Sequence, residues 1–363
     1  MKVAINTLFY KSGHNYGTGT YLINLLDSLH RKNKAKYHLI LSRGNQVLGE
    51  RYPMFSNDIV PISGDNRPQR ILFEQTRLEK WARAADCDVL FCPGYMGPIY
   101  GRMPMVLTIH DCQFRDIPEL LGFSMKAVYN IIVPRAARRA KHVVTISDFS
   151  RQRIMHHLGV SPEKVTRIYS GPSFARENVP QPADQKVLNK FGLTRPYLFS
   201  SASDFPHKNF TALLACYAKA REELGDTYDF VIIGHERKSD VPGAIFVGFV
   251  SDEERDVLYR QAHAYIFGSL YEGFGLTLLE AMQSGIPIAS SPLGSLREVG
   301  GDACLWFDPL ESTSIKDAII KILTDKEIRA RCLAKNKTQW KIFSWEKTAE
   351  KLEEVFIAAV KPD

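Results

Sequence analysis

Short apolar runs recur along the chain and alternate with segments that have the periodicity of amphipathic helices. In the first half the apolar runs are residues 3–8, 37–41, 88–91, 105–109 and 142–146. In the second half they are residues 197–199, 230–233, 245–247, 264–267, 287–289 and 303–307. The helical segments between them include residues 20–30, 73–85 and 252–262. Strands that alternate with helices in this way predict the α/β class, with helices covering parallel sheets.

A polar segment divides this pattern into two halves. Residues 177–185 (ENVPQPADQ) contain two prolines and no apolar periodicity, which is typical of a linker. We therefore predict an N-terminal Rossmann-like domain over residues 1–180 and a second one over residues 181–344. The closing segment, residues 345–363, has one apolar face and is expected to pack back on the first domain.

The charge of the 363-residue chain is unevenly distributed. Residues 1–180 carry 25 Lys and Arg against 14 Asp and Glu, whereas the remainder carries 22 against 26. The basic half suggests contact with an anionic membrane or a lipid-diphosphate acceptor, while no nucleic-acid module is recognised. No apolar run approaches the roughly 20 residues that span a bilayer, and the N-terminus does not resemble a signal peptide. We therefore expect a cytoplasmic protein, with the inner face of the cell membrane as a place of contact.

The most informative segment is residues 265–291, which reads as a strand, a glycine-containing loop, a helix and a second strand. The loop ends where the helix begins, so its backbone amides and the helix dipole can bind a phosphate group. Glu272 lies in the loop and Glu280 in the helix. A carboxylate beside a phosphate site is explained if it accepts hydrogen bonds from sugar hydroxyls. The alternative is that both are solvated surface charges.

The sequence EGFGLTLLEAMQSGIPIAS, residues 272–290, resembles the Glu-x7-Glu signature of the retaining glycosyltransferases called group 1 or family 4. The flanking segments 246–259 and 295–309 also match, and the similarity is strongest from about residue 197 to residue 310. It is closest to bacterial enzymes that build O-antigen and other surface polysaccharides, many of them mannosyltransferases. The resemblance implies the GT-B fold, in which two Rossmann-like domains face each other across a cleft.

The resemblance also implies a role for each residue of this segment. Glu280 would hold the ribose hydroxyls of the donor nucleotide, and Glu272 a hydroxyl of the donor sugar. Lys208 resembles the lysine that neutralises the leaving diphosphate, where a fixed cation stabilises the transition state more than the ground state. The loop residues that would bind the sugar and diphosphate, chiefly through backbone amides, are Gly273, Phe274, Gly275 and Leu276.

The chain departs from the family at a phosphate-binding arginine. Family members often carry it five positions before the lysine, where this chain has Ser203, and others carry it immediately before the lysine, where this chain has His207. His207, Arg237 or an arginine elsewhere is therefore expected to supply the missing contact with the donor phosphates.

The first half carries a second glycine loop and a histidine. Residues 13–21 (GHNYGTGTY) lack the third glycine and the acidic partner of a dinucleotide fingerprint, so NAD is not expected. In the family the corresponding loop reaches over the donor diphosphate and acceptor, with Gly17 and Gly19 at matching positions. His110 and Asp111 follow an apolar strand, at the edge where α/β proteins bind ligands, and resemble the family's active-site histidine motif. That histidine contacts the donor sugar.

The resemblance implies the transfer of a hexose, with mannose from GDP-mannose as the first choice, to a lipid-linked or saccharide acceptor in surface polysaccharide synthesis. The configuration of the sugar would be retained, and neither a metal nor a cofactor beyond the nucleotide-sugar is expected. The alternatives are a UDP-sugar donor, a GT-B nucleotide-sugar epimerase, and a basic nucleic-acid- or membrane-binding scaffold without catalysis. The basic segment 135–142 is either solvated surface or part of a contact with anionic lipid.

Overall fold

A computed structural model describes residues 1–11, 17–32, 34–173, 184–201, 205–234 and 239–361. The chain forms two compact units. Unit 1 consists of Met1–Gly171 together with Phe343–Asp363, and unit 2 is Pro172–Ile342. Within the described ranges, no helix is both long enough and apolar enough to cross a membrane.

Unit 1 is built on a seven-stranded parallel sheet with the strand order β3-β2-β1-β4-β5-β6-β7. Its strands are β1 (Lys2–Asn6), β2 (Lys36–Leu41), β3 (Ser56–Ile59), β4 (Val89–Cys92), β5 (Met105–Thr108), β6 (His142–Thr145) and β7 (Val165–Arg167). Its α-helices are α1 (Gly17–Lys32), α2 (Val47–Arg51), α3 (Arg67–Thr76), α4 (Leu78–Ala84), α5 (Gln113–Asp116), α6 (Phe123–Arg139), α7 (Asp148–Leu158) and the last helix of the chain, α15 (Trp345–Val360).

Unit 2 is built on a six-stranded parallel sheet with the strand order β10-β9-β8-β11-β12-β13. Its strands are β8 (Tyr197–Ser201), β9 (Asp229–Ile233), β10 (Ala244–Gly248), β11 (Ala264–Phe267), β12 (Ile288–Ser290) and β13 (Cys304–Trp306). Its α-helices are α8 (Asp184–Lys190), α9 (Phe210–Leu224), α10 (Asp252–Gln261), α11 (Leu276–Gln283), α12 (Leu296–Gly300), α13 (Ser312–Thr324) and α14 (Lys326–Gln339). Two parallel sheets with helices between their strands confirm the predicted α/β class.

Two strands of unit 1 have no counterpart among the predicted apolar runs. They are β3 and β7, and each lies at an edge of the sheet. The β3 sequence Ser-Asn-Asp-Ile is largely exposed, and β7 spans three residues, Val-Thr-Arg. A strand that pairs on one side need not be apolar on both faces, so an edge strand escapes a search for buried runs.

The prediction of one helix over residues 73–85 is wrong. The structure has two helices there, α3 and α4, with Arg77 between them at φ −127° and ψ −23°. Helix α3 also begins earlier, because the side chain of its N-cap residue Asn66 accepts a hydrogen bond from the backbone N–H of Gln69. Similarly, α1 begins at Gly17 rather than at residue 20.

Most of the predicted linker 177–185 lies outside the described residues, but its last two residues begin α8. The Asp184 carboxylate is buried and lies 2.7 Å from the Arg260 guanidinium, and it also accepts a hydrogen bond from the Gln261 side chain. Because a buried carboxylate with these partners is part of a packed structure, Asp184 and Gln185 belong to unit 2 rather than to a linker.

Helix α15 packs on unit 1. The Phe356 ring contacts the Phe91 ring of β4 at a centroid distance of 5.1 Å. Polar contacts anchor the same helix: the Tyr37 hydroxyl donates to the Glu353 carboxylate at 2.7 Å, and the Thr348 hydroxyl donates to a backbone carbonyl of unit 1 at 2.6 Å. The buried face of α15 and these hydrogen bonds hold the C-terminal helix against the sheet of unit 1.

Candidate functional site

The loop between β11 and α11 is held in one conformation by close packing around two glycines. Gly275, the N-cap of α11, has φ +94°, and a Cβ there would lie 2.6 Å from Leu296. Gly294 has φ +64°, and a Cβ there would lie 2.6 Å from the Glu272 carbonyl oxygen. Both positions favour glycine for the backbone angle, and Gly294 requires it for the space as well, because its neighbour is backbone. The loop backbone at Glu272 is therefore packed directly against the segment that follows β12.

Hydrogen bonds fix the same loop. The backbone N–H and the hydroxyl of Ser295 both donate to the Glu272 carbonyl, at 3.1 and 3.0 Å. The backbone N–H of Leu270 donates to the His207 carbonyl at 2.7 Å. These bonds connect the loop to two other segments of unit 2, and one of them carries Lys208.

Lys208 and Glu272 form an ion pair. The Lys208 ammonium lies 2.6 Å from Glu272 Oε1. The Lys208 side chain is 23% exposed and the Glu272 side chain is 13% exposed. Lys208 ends a short 3-10 turn, Pro206–Lys208, and is followed by Asn209 at φ +55°. The structure thus brings together two residues that the sequence singled out separately, and it keeps both accessible to a ligand.

His207 lies beside this pair but is buried. Its pKa is lowered to about 4, because burial disfavours the charged imidazolium and the Lys208 ammonium repels it, while Glu272 acts in the opposite direction. The ring of exposed Phe205 stacks near it at 5.7 Å. A neutral imidazole cannot supply the positive charge of the family's arginine, so near neutral pH His207 can contact phosphate only as a hydrogen-bond donor. Ser203 and Arg237 lie outside the described residues.

Glu280 lies inside unit 2, in the second turn of α11. It is 4% exposed, and burial raises the pKa of its carboxyl group, although Arg255 and Tyr259 favour the charged form. The description of Glu280 as a solvated helix position is therefore wrong. The two oxygens of the Glu280 carboxylate can accept hydrogen bonds from two ribose hydroxyls. For this contact the ribose must reach the buried side chain.

In unit 1, His110 follows β5 and is enclosed by aromatic rings. The Tyr21 ring contacts it edge-on at a centroid distance of 4.8 Å, and the Tyr95 ring lies at 5.2 Å. Its Nε2 lies 2.9 Å from the Pro93 carbonyl, which requires that nitrogen to carry the proton. Burial lowers the pKa of His110 to about 4, against a smaller opposing effect of the Pro93 hydrogen bond. The imidazole is therefore neutral near neutral pH, with Nδ1 as the acceptor.

The other candidate residues of the first half also lie near the carboxyl ends of the unit 1 strands. Gly17 and Gly19 form the first turn of α1, whereas residues 13–16 lie outside the described residues. The half-buried Asp111 accepts a hydrogen bond from the backbone N–H of Gln113 at 3.0 Å. Asp111 thus caps the turn after His110.

Sequence reasoning missed a buried polar cluster of unit 1. The Asn6 amide donates to Glu74 Oε1 at 3.2 Å, and Arg70 Nε lies 3.9 Å from the same oxygen. Glu74 is 2% exposed. The sequence gives no sign of this cluster, because Glu74 is a single acidic residue in an otherwise basic helix. Only the order of strands in the sheet places Asn6, at the end of β1, next to α3.

No group of three or more His, Cys, Asp or Glu in the described part of the chain is arranged to hold a metal ion. One Asp-x-Asp sequence exists, Asp86-Cys87-Asp88. It precedes β4 and therefore lies at the amino ends of the parallel strands, whereas His110 lies at their carboxyl ends. Its Asp88 carboxylate accepts a hydrogen bond from the Lys2 backbone N–H at 2.7 Å. This pair therefore belongs to the packing of the sheet, away from the carboxyl ends of the strands.

The comparisons with known proteins define the class. A crystal structure of Anabaena Alr3699/HepE in complex with UDP and glucose superimposes with a TM-score of 0.73, covering 99% of this chain and 100% of that chain at 18% identity. Two parallel-sheet units with this likeness are the GT-B fold of glycosyltransferases.

Relatives in sequence then define the family. The family models "Glycosyl transferases group 1" and "Glycosyltransferase Family 4" match residues 183–339 and 16–176. The chain is 30% identical over 305 residues to O-antigen chain mannosyltransferase B of Escherichia coli, covering 77% of this chain and 78% of the relative. It is 29% identical over 231 residues to the serotype-specific mannosyltransferase WbdA of Escherichia coli, but spans 28% of that longer protein. The chain therefore belongs to the group 1, family 4 glycosyltransferases.

Proposed function

We propose that this glycosyltransferase moves a hexose, with mannose from GDP-mannose as the first candidate, to a lipid-linked or saccharide acceptor in surface polysaccharide synthesis. The Escherichia coli O-antigen mannosyltransferase supports the choice of mannose, since it is similar over most of both chains. The observation that carries the catalytic part is the Lys208 ammonium, held 2.6 Å from Glu272 in the loop at the start of α11.

In the proposed reaction the acceptor oxygen forms a bond to the anomeric carbon as the bond from that carbon to the donor phosphate breaks. The electron pair of the broken bond leaves with the diphosphate. The hydroxyl proton passes to a phosphate oxygen, so that attack occurs on the face from which the diphosphate departs and the configuration is retained. Lys208 and the backbone amides of the loop would stabilise the leaving diphosphate.

The other residues would bind and orient the substrates. Glu272 and His110 would hold the donor sugar, with Nδ1 of neutral His110 accepting a hydrogen bond from a sugar hydroxyl. Glu280 would hold the ribose hydroxyls. The nucleotide would bind unit 2 and the acceptor unit 1. Since Lys208 and the α11 N-terminus supply positive charge, no metal ion is required.

A membrane contact through unit 1 is part of this proposal and would place the enzyme at the inner face of the cell membrane. On α6, the side chains of Phe123 and Ile131 are 91% and 51% exposed, and exposed Arg135 and Arg138 follow on the same helix. Exposed apolar and basic side chains on one helix are typical of contact with anionic lipid. Cosedimentation with phosphatidylglycerol vesicles, reduced in the Phe123→Ser variant, is the expected result.

A transfer assay with labelled GDP-mannose or UDP-glucose and a membrane extract as acceptor source tests the function. NMR of the product anomeric proton reports the configuration. We expect mannose transfer with retention, undiminished by excess EDTA. Loss of activity in EDTA that manganese restores would contradict the metal-free mechanism, and conversion of the nucleotide-sugar without an acceptor would instead indicate an epimerase. Transfer from UDP-glucose alone would overturn the choice of donor.

A further inference from the structure

Two tyrosine rings contact the imidazole of His110. The Tyr21 ring of α1 lies 4.8 Å from it with the two planes at 82°, and the Tyr95 ring lies 5.2 Å away at 58°. The hydrogen bond from Nε2 to the Pro93 carbonyl fixes the direction of that nitrogen, but a single bond leaves the ring free to rotate about its axis. The ring contacts restrict this rotation. The orientation of Nδ1, the atom assigned to the donor sugar, therefore depends on Tyr21 and Tyr95.

Tyr21 acts on His110 through the position of its ring. The side chain is 2% exposed, and burial raises the pKa of its hydroxyl group to about 12, against a smaller opposing effect of Thr108. The phenol is therefore neutral near neutral pH and carries no charge that would change the protonation of the imidazole. An edge-on contact between two neutral rings acts by packing, and its effect is on where the imidazole lies.

Trp345 supports Tyr21 from the last helix of the chain. The two rings lie 5.6 Å apart with their planes at 67°. Trp345 is 5% exposed and is the first residue of α15, directly after the N-cap residue Ser344. The rings of Trp345, Tyr21 and His110 thus form a continuous buried series within unit 1. It connects the start of the C-terminal helix to the residue that follows β5.

Trp345 is itself held where the chain leaves and re-enters unit 1, at Gly171 and Phe343. A Cβ at Gly171 would lie 2.5 Å from the backbone nitrogen of Trp345 and 2.6 Å from its Cδ1 atom, so the two residues are in direct contact. The Phe343 ring contacts the Tyr169 ring at 5.1 Å, and the Thr348 hydroxyl donates to the Tyr169 carbonyl at 2.6 Å. The start of α15 is therefore fixed by both segments, and Trp345 provides a rigid support.

We propose that Trp345, acting through Tyr21, is a positioning residue for His110 and keeps Nδ1 directed at the donor sugar. The inference rests on the proposed function for the role of His110. It adds that the C-terminal helix, which touches no substrate in the proposed reaction, contributes to the chemical step through packing alone. A misplacement of about 1 Å can lower a rate about 10²-fold, so a small shift of the imidazole is enough to be measured.

The first experiment observes the imidazole directly and needs no substrate. Nitrogen NMR of protein with isotope-labelled histidine reports the tautomer of each imidazole, and the signals of His110 are those absent from His110→Gln. Three variants each replace one buried aromatic ring by leucine: Trp345→Leu, Tyr21→Leu and the control Phe356→Leu. Phe356 lies further along α15 and contacts Phe91 instead of Tyr21.

We expect Trp345→Leu and Tyr21→Leu to shift or broaden the His110 signals, and Phe356→Leu to leave them unchanged. The conservative variants Trp345→Phe and Tyr21→Phe keep a ring at each position and should remain close to wild type. Unchanged His110 signals in Trp345→Leu would overturn the proposal. Equal changes in Trp345→Leu and Phe356→Leu would also overturn it, because they would show a general effect of α15.

Transfer kinetics form the second arm. Trp345→Leu should lower kcat about 10- to 100-fold and leave the acceptor KM unchanged, whereas Phe356→Leu should keep the wild-type kcat at a temperature where both variants are folded. In the His110→Gln background, Trp345→Leu should cause no further loss, because its effect passes through the imidazole. An unchanged kcat in Trp345→Leu, or an additive loss in the double variant, would overturn the proposal.

The two arms separate this inference from the proposed function. If wild type transfers no sugar but the His110 signals respond in the expected pattern, the proposed function fails and the positioning of the imidazole by Trp345 stands. If wild type is active and the signals do not respond, the function stands and the positioning role fails. Circular dichroism and the melting temperature identify a variant that does not fold, and Tyr21→Leu carries the test if Trp345→Leu is such a variant.

Discussion

The Lys208 ammonium lies 2.6 Å from the Glu272 carboxylate, although the two residues are 64 positions apart in the sequence. The cation assigned to the leaving diphosphate is therefore paired with a carboxylate. An ion pair that is only partly buried costs little to rearrange, so an incoming diphosphate can share the ammonium. The pair also orients the Glu272 carboxylate for a hydroxyl of the donor sugar.

Removal of the Lys208 ammonium should slow the chemical step. We expect Lys208→Ala to lower kcat about 10²- to 10³-fold, the usual loss for one group that stabilises a developing charge, and Lys208→Arg to retain part of it. Measurement of kcat by chromatography of the released nucleotide checks this. Lys316→Ala is the matched control, since Lys316 of α13 pairs with Glu223 on the surface of the same unit.

An unchanged kcat in Lys208→Ala would contradict the assignment of this lysine. A similar loss in Lys316→Ala would indicate a general effect on unit 2 instead of a role at the phosphate.

The stability of the protein should fall as the pH decreases below the ordinary histidine range. Burial lowers the pKa values of His110 and His207 to about 4, whereas the unfolded chain has values near 6.5. The folded state then binds fewer protons than the unfolded state between pH 6.5 and pH 4, so the stabilisation is complete above pH 6.5 and is lost as the pH falls through this window. The fully buried His110 contributes on the order of 3 kcal/mol over that window, and the less enclosed His207 contributes less.

Urea unfolding at several pH values between 4.5 and 7.5 measures this dependence. His110→Gln and His207→Gln should each flatten it. Equal slopes in wild type and both variants would show that these imidazoles are not the cause. For activity, a neutral His110 predicts no decrease in kcat near pH 6.5, where an ordinary histidine becomes protonated.

Substitution of Gly294 should displace the site loop. A Cβ at Gly294 meets the Glu272 carbonyl oxygen at 2.6 Å, whereas Gly192, with a similar φ of +66°, has no atom within 4 Å of its Cβ position. Gly192→Ala carries the cost of the backbone angle alone, about 1 kcal/mol, and Gly294→Ala adds a steric cost of about 1–3 kcal/mol. Thermal unfolding and kcat of both variants check this. Equal destabilisation with full activity in both would show that the contact is not required.

The sheet cores were predictable from sequence, because parallel strands buried on both faces must be apolar along their length. All eleven apolar runs became strands. The polar edge strand β3 and the short β7 were not predictable on this basis. The break at Arg77 also left no mark, since both α3 and α4 continue the helical periodicity.

The residues of the site were predictable where they lie in motifs, and not where they depend on tertiary packing. The loop around Glu272 is recognisable in the sequence by its glycines, and His110 by its position directly after an apolar strand. The ion pair of Glu272 with Lys208 and the cluster of Glu74 with Asn6 join segments far apart in the chain. Nothing in the spacing of those residues indicates which strands become neighbours.

The central claim, that unit 2 binds a nucleotide-sugar through the loop and α11, is tested most directly by thermal shift. The ligands are GDP-mannose, UDP-glucose, UDP-galactose, UDP-N-acetylglucosamine and the free nucleotides, and the proteins are wild type and Glu280→Gln, which keeps the shape of a residue that is 4% exposed. We predict that GDP-mannose and GDP raise the melting temperature of wild type, and that the shift is largely lost in Glu280→Gln. Stabilisation by UDP-sugars alone would change the donor and keep the site. No stabilisation by any of these ligands, or equal stabilisation of both proteins, would contradict the account of the donor site.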